Sequence, residues 1–268
     1  MNFFVAKERK PDKMKVLVLL LAIGSVAMAQ QPAIQKDRQV LYDFRVDQNT
    51  APAKISPATQ RMVLSKLFRK YLTDANQCSS QFETGDTADP LAAARKAGQI
   101  VPSIIDIETG SFTAPGQNQT AYLVSVSECN ASHADNFGTD RVAIFSGTQL
   151  ISDVDADFMS NILKKTDLNS DGIDELLMNS DYMGQGTLTE MAVLVSFQNG
   201  RRRVLHDFGT VVEDSCASLS PGSTSDASVL YISEVIPGSM PKLTQENYSA
   251  SCRGKTRRWR LVSKGKRP

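Results

Sequence analysis

Apolar residues along this chain change their rhythm twice. A continuous run, Val16 to Ala29, comes first, and a polar stretch follows in which only Val40 to Phe44 is apolar. Residues 30–55 therefore read as an extended arm. Ser56 and Pro57 form an N-cap and first-turn pair, and Val63, Leu64, Leu67, Phe68, Tyr71 and Leu72 repeat at helical spacing behind them. A second, shorter helix is bracketed by Asp89 and Pro90 at its start and Gly98 at its end. Residues 56–105 are thus expected to be an N-terminal helical region.

From about residue 99 the pattern becomes short β-branched and aromatic runs between clusters of Gly, Asn, Asp and Ser, which predicts strands. The runs are Ile100 to Ile107, Ala121 to Ser127, Arg141 to Phe145, Glu175 to Met178, Met191 to Phe197, Arg202 to Phe208, Val229 to Val235 and Trp259 to Val262. Asn199 and Gly200 lie between two of them and supply the positive φ values of a type I′ hairpin turn. Phe158, Met159, Ile162 and Leu163 are spaced as one face of a helix, the single helical interruption expected among the strands. The fold class is mainly β within an α+β frame: antiparallel meander sheets over a β-rich domain of residues 106–268. Weak similarity among segments starting near Gly110, Ile162 and Val212 raises the alternative of a small or partial propeller.

The first apolar run changes the picture of where the protein works. Lys13 and Lys15 precede it and Ala27, Met28 and Ala29 close it, which is the pattern of a secretory signal peptide over residues 1–29 with cleavage before Gln30. Met14 is an alternative start. The expected location is secreted or periplasmic, with no membrane span left after cleavage. In an oxidising compartment Cys78, Cys129, Cys216 and Cys252 are read as disulfides. Of the three connectivities open to four cysteines, Cys78 with Cys129 and Cys216 with Cys252 keep each bridge within one region of the chain. Overall composition adds little: 268 residues, 41% hydrophobic and 22% charged, are ordinary for a globular protein. A formal charge of +1 excludes a global field of the kind that attracts nucleic acid.

Candidate chemistry concentrates in DLNSDGIDELL, residues 167–177. Oxygen-bearing side chains at alternate positions, Asp167, Asn169 and Asp171, can point to one centre; Gly172 permits the sharp turn, and the Ile173 carbonyl and Glu175 add further oxygens. An all-oxygen donor set at flexible geometry suits Ca²⁺, whereas Zn²⁺ prefers the His and Cys that are missing here. The segment resembles the calcium loop of FG-GAP and VCBS-type repeats, the integrin-α-like pattern D-x-[DN]-x-D-G-x-x-[DE]. That resemblance rests on about a dozen residues of one copy, around 162–211, and lacks an FG-GAP tripeptide. It implies a loop joining two β-strands, with Asp167, Asn169, Asp171, Ile173 and Glu175 as ligands. An EF-hand is the rival, with the expected helix at 158–163 entering the loop, but Met178 replaces the bidentate Glu of position 12 and Asp174 the aliphatic residue of position 8. A polar turn that binds nothing is the third reading.

Other candidates are weaker. Asp153, Asp155 and Asp157 alternate without a glycine and are expected at a helix N-terminus. Cys129 and His133 would make a thiol dyad only if Cys129 were free. None of the common hydrolase or phosphate-loop motifs is present. The C-terminal CRGKTRRWRLVSKGKRP holds eight Lys or Arg and reads as a half-buried strand with a basic tail. Taken together, the sequence predicts an exported, non-catalytic protein with a structural Ca²⁺ loop, a binding module for a protein or glycan at the cell surface or envelope. The alternatives are an EF-hand-like protein and a secreted hydrolase with an unrecognised site.

Overall fold

A computed structural model describes residues 37–46, 54–82, 85, 87–129, 140–218, 222–252 and 257–266. The expected signal peptide, its cleavage point and His133 lie outside the described residues. Ala33–Pro268 form one compact unit, so the helices expected at 56–105 are packed on the same body as the strands.

Helix α1 (Pro57–Leu67) starts as its sequence dictates: the Ser56 hydroxyl accepts from Thr59 N–H at 3.1 Å, and Pro57 occupies the first turn. It ends at Leu67, a turn earlier than the spacing predicts, because Phe68 is extended (φ −126°, ψ 124°) and turns its ring back onto the core. Helix α2 (Pro90–Ala97) is capped by Asp89, whose carboxylate accepts from Ala92 N–H at 2.8 Å, and stops at Gly98 in the left-handed region.

Among the described residues twelve strands run as antiparallel meanders, four more than the eight runs expected. Strands β2 (Ile100–Gly110), β3 (Gln119–Glu128), β4 (Arg141–Ser146) and β5 (Gln149–Asp155) form a four-stranded antiparallel sheet in that order. Strands β6 (Asn161–Thr166), β7 (Glu175–Gly184), β8 (Thr187–Ser196), β9 (Arg203–Asp214), β10 (Thr224–Ser233), β11 (Lys242–Ser251) and β12 (Arg260–Lys264) form the second sheet, again in sequence order and strongly curled. Strand β1 (Gln39–Asp43) joins it from the expected arm. Strand β10 pairs with β9 only over Ser225–Ala227 and with β1 over Val229–Ile232, so the arm fills the gap where β9 leaves β10. Two sheets of eight and four strands stand in place of a ring of four-stranded propeller blades.

Three layers result, and period-two alternation explains them. On β3, Tyr122, Val124 and Val126 face α1 and α2, while Ala121 and Leu123 face the curled sheet. On β7, Leu176 and Met178 pack against the four-stranded sheet, and Leu177 points into the hollow of the curl with Leu41, Leu194, Phe208 and Leu230. Strands buried on both faces lose the polar alternation of a surface sheet, hence runs such as ELLM and AVLVSF.

Three local expectations are corrected. Phe158 to Leu163 is not a helix: Asp157 and Phe158 take positive φ values in a turn, and Asn161 opens β6. A bulge between Ile162 and Lys164 lets Ile162 and Leu163 reach opposite cores, a placement that helical spacing imitates. Asp153 and Asp155 belong to β5 and Asp157 to the turn after it, so no helix N-terminus gathers them. The last strand is exposed throughout instead of half-buried, with Leu261 50% and Val262 67% accessible, because β12 is the free edge of the sheet.

Both disulfides pair as expected. Cys78–Cys129 ties the segment after α1 to the end of β3, and Cys216–Cys252 joins the β9–β10 connection to the end of β11. Cys129 is therefore no thiol nucleophile. No helix among the described residues is long and apolar enough to cross a membrane.

Candidate metal centre

The acidic loop joins β6 to β7, strand to strand. With no helix on either side, the EF-hand alternative loses its frame. Backbone N–H groups wrap onto the side chains at alternate positions. Asp167 Oδ1 accepts from Asp171 N–H at 3.2 Å and its Oδ2 from Gly172 N–H at 3.0 Å; Asn169 Oδ1 accepts from Asp171 N–H at 3.1 Å, and Asp171 Oδ1 from Ile173 N–H at 2.8 Å. These bonds hold the oxygens on the inside of a tight ring, and a carboxylate oxygen that takes one N–H keeps lone pairs for a second partner. Ser170 and Gly172 adopt positive φ (57° and 82°), the turn that the sequence assigned to glycine.

Neighbouring elements clamp the loop. Asp174 points away from the ring, its Oδ2 accepting from Ser111 N–H at 2.7 Å while its own N–H donates to Ser111 carbonyl at 2.8 Å. A Cβ on Gly110, beside Ser111, would press on the Asp174 carboxylate and, at 2.9 Å, on Lys165 Cδ, so a larger residue there would push these side chains aside. The Asn169 carbonyl accepts from Gly238 N–H in the β10–β11 connection. The loop is thus fastened to the four-stranded sheet on one side and to the curled sheet on the other.

Glu175 is the anomaly. It is only 2% exposed, yet the hydrogen bond that its carboxylate receives is from Leu168 N–H at 2.9 Å, and no Lys or Arg among the described residues pairs with it. Burial first, then the charges of Asp171, Asp167 and Asp174, raise its carboxyl to about 7 against the bond from Leu168. A buried carboxylate facing other carboxylates needs a proton or a cation. Of the five residues expected as ligands, Asn169, Asp171 and Glu175 line one groove and Asp167 lies close enough to act on Glu175, while Ile173 buries its side chain (3% exposed). The carboxylates of Asp167, Asp171 and Glu175 do not all lie within 4.8 Å of one another. The one trio that close among the described residues is Asp214, Cys216 and Cys252, whose sulfurs are committed to the disulfide.

Beside the loop, Asn169, Asp171 and Glu175 share a groove of about 660 Å³ with Arg201, Arg202 and Arg203. Arg202 reaches out of it to Asp157 at 3.2 Å. Asn199 and Gly200, in the left-handed region at φ 58° and 72° as the hairpin signal requires, turn the chain here between β8 and β9.

Sequence reasoning missed two other polar clusters. Glu246, inside β11, accepts from Arg38 at 2.9 Å and from the Tyr248 hydroxyl at 2.8 Å; the Arg38 bond first, with the Tyr248 and Lys264 bonds, holds its carboxyl at about 2 against burial. Gln245, Asn247 and Ser228 form a buried network in which Asn247 Nδ2 donates to Ser263 Oγ and the Gly265 carbonyl at 2.9 and 2.8 Å. Asn247, the head of an N-x-S sequon, is 2% exposed and so closed to glycosylation in the folded protein. Alternating polar residues in KLTQENYSAS hide a strand whose inward face is hydrogen-bonded, and only its period of two was available as a signal. Compared with protein-family models, curated proteins and solved structures, the chain matches none of them.

Proposed function

We propose that this is an exported, non-catalytic binding protein whose β6–β7 loop takes one structural Ca²⁺, in the manner of FG-GAP and VCBS-type repeats. Asp167, Asn169, Asp171, the Ile173 carbonyl and Glu175 are the ligands. The observation that carries the reading is Glu175: a buried carboxylate set against Asp167 and Asp171 without a cationic side chain, at the base of a loop whose backbone already orients the other oxygens. The donor set is all oxygen, which fits a hard cation of flexible coordination. The ion would neutralise the ring and lock together the two sheets to which Asp174 and Asn169 are tied. Two disulfides agree with an oxidising compartment, and a secreted protein meets enough calcium to fill even a weak site.

The test is thermal melting in chelator and in calcium. For a dissociation constant on the order of 0.1 mM, about 10 mM Ca²⁺ adds about 2.7 kcal/mol and raises Tm by roughly 5 to 10 °C. Equal melting curves, with no heat of binding in calorimetry, would sink the metal.

A further inference from the structure

We propose that the mouth of the curled sheet is a binding cleft for a neutral oligosaccharide. Between β1 and strands β6 to β9 lies a cleft of about 670 Å³, within the size range of small-molecule sites and in the position where curled and closed sheets keep their ligands. It is separate from the calcium loop: none of the five proposed ion ligands lines it.

The chemistry of its walls selects the ligand class. Phe44, half-buried just past the arm strand, lines one side, backed by the core residue Tyr42 (9% exposed) with ring centroids 4.7 Å apart. Aromatic faces of this kind receive the C–H face of a sugar ring. Planar polar side chains lie on the strands around them. Asn179 donates its amide N–H to Glu190 at 2.7 Å across β7 and β8, and Asn161 stands at the start of β6. Amide and carboxylate groups are the side chains that pair with adjacent hydroxyls, since each offers two hydrogen-bonding atoms at fixed separation.

Two further observations exclude other ligands and leave a demand. Charge in the cleft is balanced, Arg45 and Arg257 against Glu190 and Asp214. The arginines are already engaged: Arg257 pairs with Asp214 at 2.6 Å, and Arg45 with Asp43 at 2.7 Å. Neither guanidinium is left over to hold an anion, which disfavours a phosphate or a polyanion. Asn179 is 4% exposed and its side-chain oxygen has no donor among the described residues. An unmet buried acceptor is costly, and a hydroxyl entering beside Asn179 is the kind of donor that would satisfy it.

The experiment uses the full mature chain in chelator, so that loss of the calcium reading leaves this one untouched. Maltose, cellobiose and di-N-acetylchitobiose are the probes, with saturation-transfer NMR and calorimetry as readouts. At least one binds, with a dissociation constant on the order of 0.1 to 1 mM. Leu188 lines the cleft but belongs to no buried cluster; Leu188→Trp therefore fills the site without touching the core and weakens binding at least about tenfold, about 1.4 kcal/mol, at unchanged Tm. Phe44→Ala weakens it as well. Charged counterparts, digalacturonate and chitosan dimer, bind less well than the neutral sugars. Absence of binding by all three neutral probes, indifference to Leu188→Trp, or a preference for a charged dimer would each overturn the proposal.

Discussion

At Glu175 and Asp140 the fold holds carboxyl groups where water cannot fully serve them, and the two have different remedies. Glu175 has a ring of oxygens beside it. Glu175→Gln removes a repelled carboxylate, so the chelated protein melts no lower than the parent, while the rise in Tm on adding calcium disappears. Melting curves of both proteins with and without calcium check this; a variant that keeps the full rise would remove Glu175 from the ligand set. Asp140, ahead of β4, is raised to about 6, by burial first and then by Asp155 and Asp181, against bonds from Ser125 and the Val126 backbone. A carboxyl raised in the folded state binds its proton more tightly there than in the unfolded chain, whose value is 3.8. Its contribution is therefore intact below that value and is lost as pH climbs to about 6. Asp140→Asn should gain roughly 2 to 4 °C in Tm at pH 8, about 1 kcal/mol after allowance for its partial exposure, and little at pH 3.5. A loss of stability at pH 8 would show that the charged form is satisfied by its hydrogen bonds.

Among the elements, legibility followed the partner of each strand's faces. Strands β3, β4, β7 and β8 were readable because both faces are apolar. Strand β11 was not, because Gln245 and Asn247 replace an apolar face with a hydrogen-bonded one, and Glu246 on the other side is a charged residue buried with Arg38 and Tyr248 as partners. Strand β6 was mistaken for a helix because its bulge breaks the period of two at Leu163. Caps were local and so were legible: Ser56, Asp89 and Gly98 act on residues within one turn of themselves. Disulfide pairing also came out of proximity in sequence. Cys216–Cys252 closes a 36-residue separation around β10, and opening it by Cys216→Ser with Cys252→Ser should cost about 2 to 4 kcal/mol. Denaturant unfolding of the double variant measures this. No change in midpoint would mean that β10 and β11 hold their ends without the bridge.

For the molecule as a whole, the acidic β6–β7 loop and the cleft lie on different parts of one curled sheet, and each depends on strands distant in sequence. Asp174 meets Ser111 across 63 residues, and beside the cleft Lys164 Nζ donates to the Leu41 carbonyl across 123. The sequence by itself determined the mainly β class, the meander order, both disulfides and the single acidic loop with its spacing. Those features are written in period, caps and near neighbours, where the chemistry acts over a few residues. Only the tertiary structure decided that the loop is clamped between two sheets, that the arm becomes a strand beside β10, that β12 is an exposed edge, and that Tyr42, Asn179 and Glu190 share a cleft. Those depend on how far the second sheet curls and where β9 parts from β10, which are sums of twist and packing over the whole sheet and leave no mark at any one position.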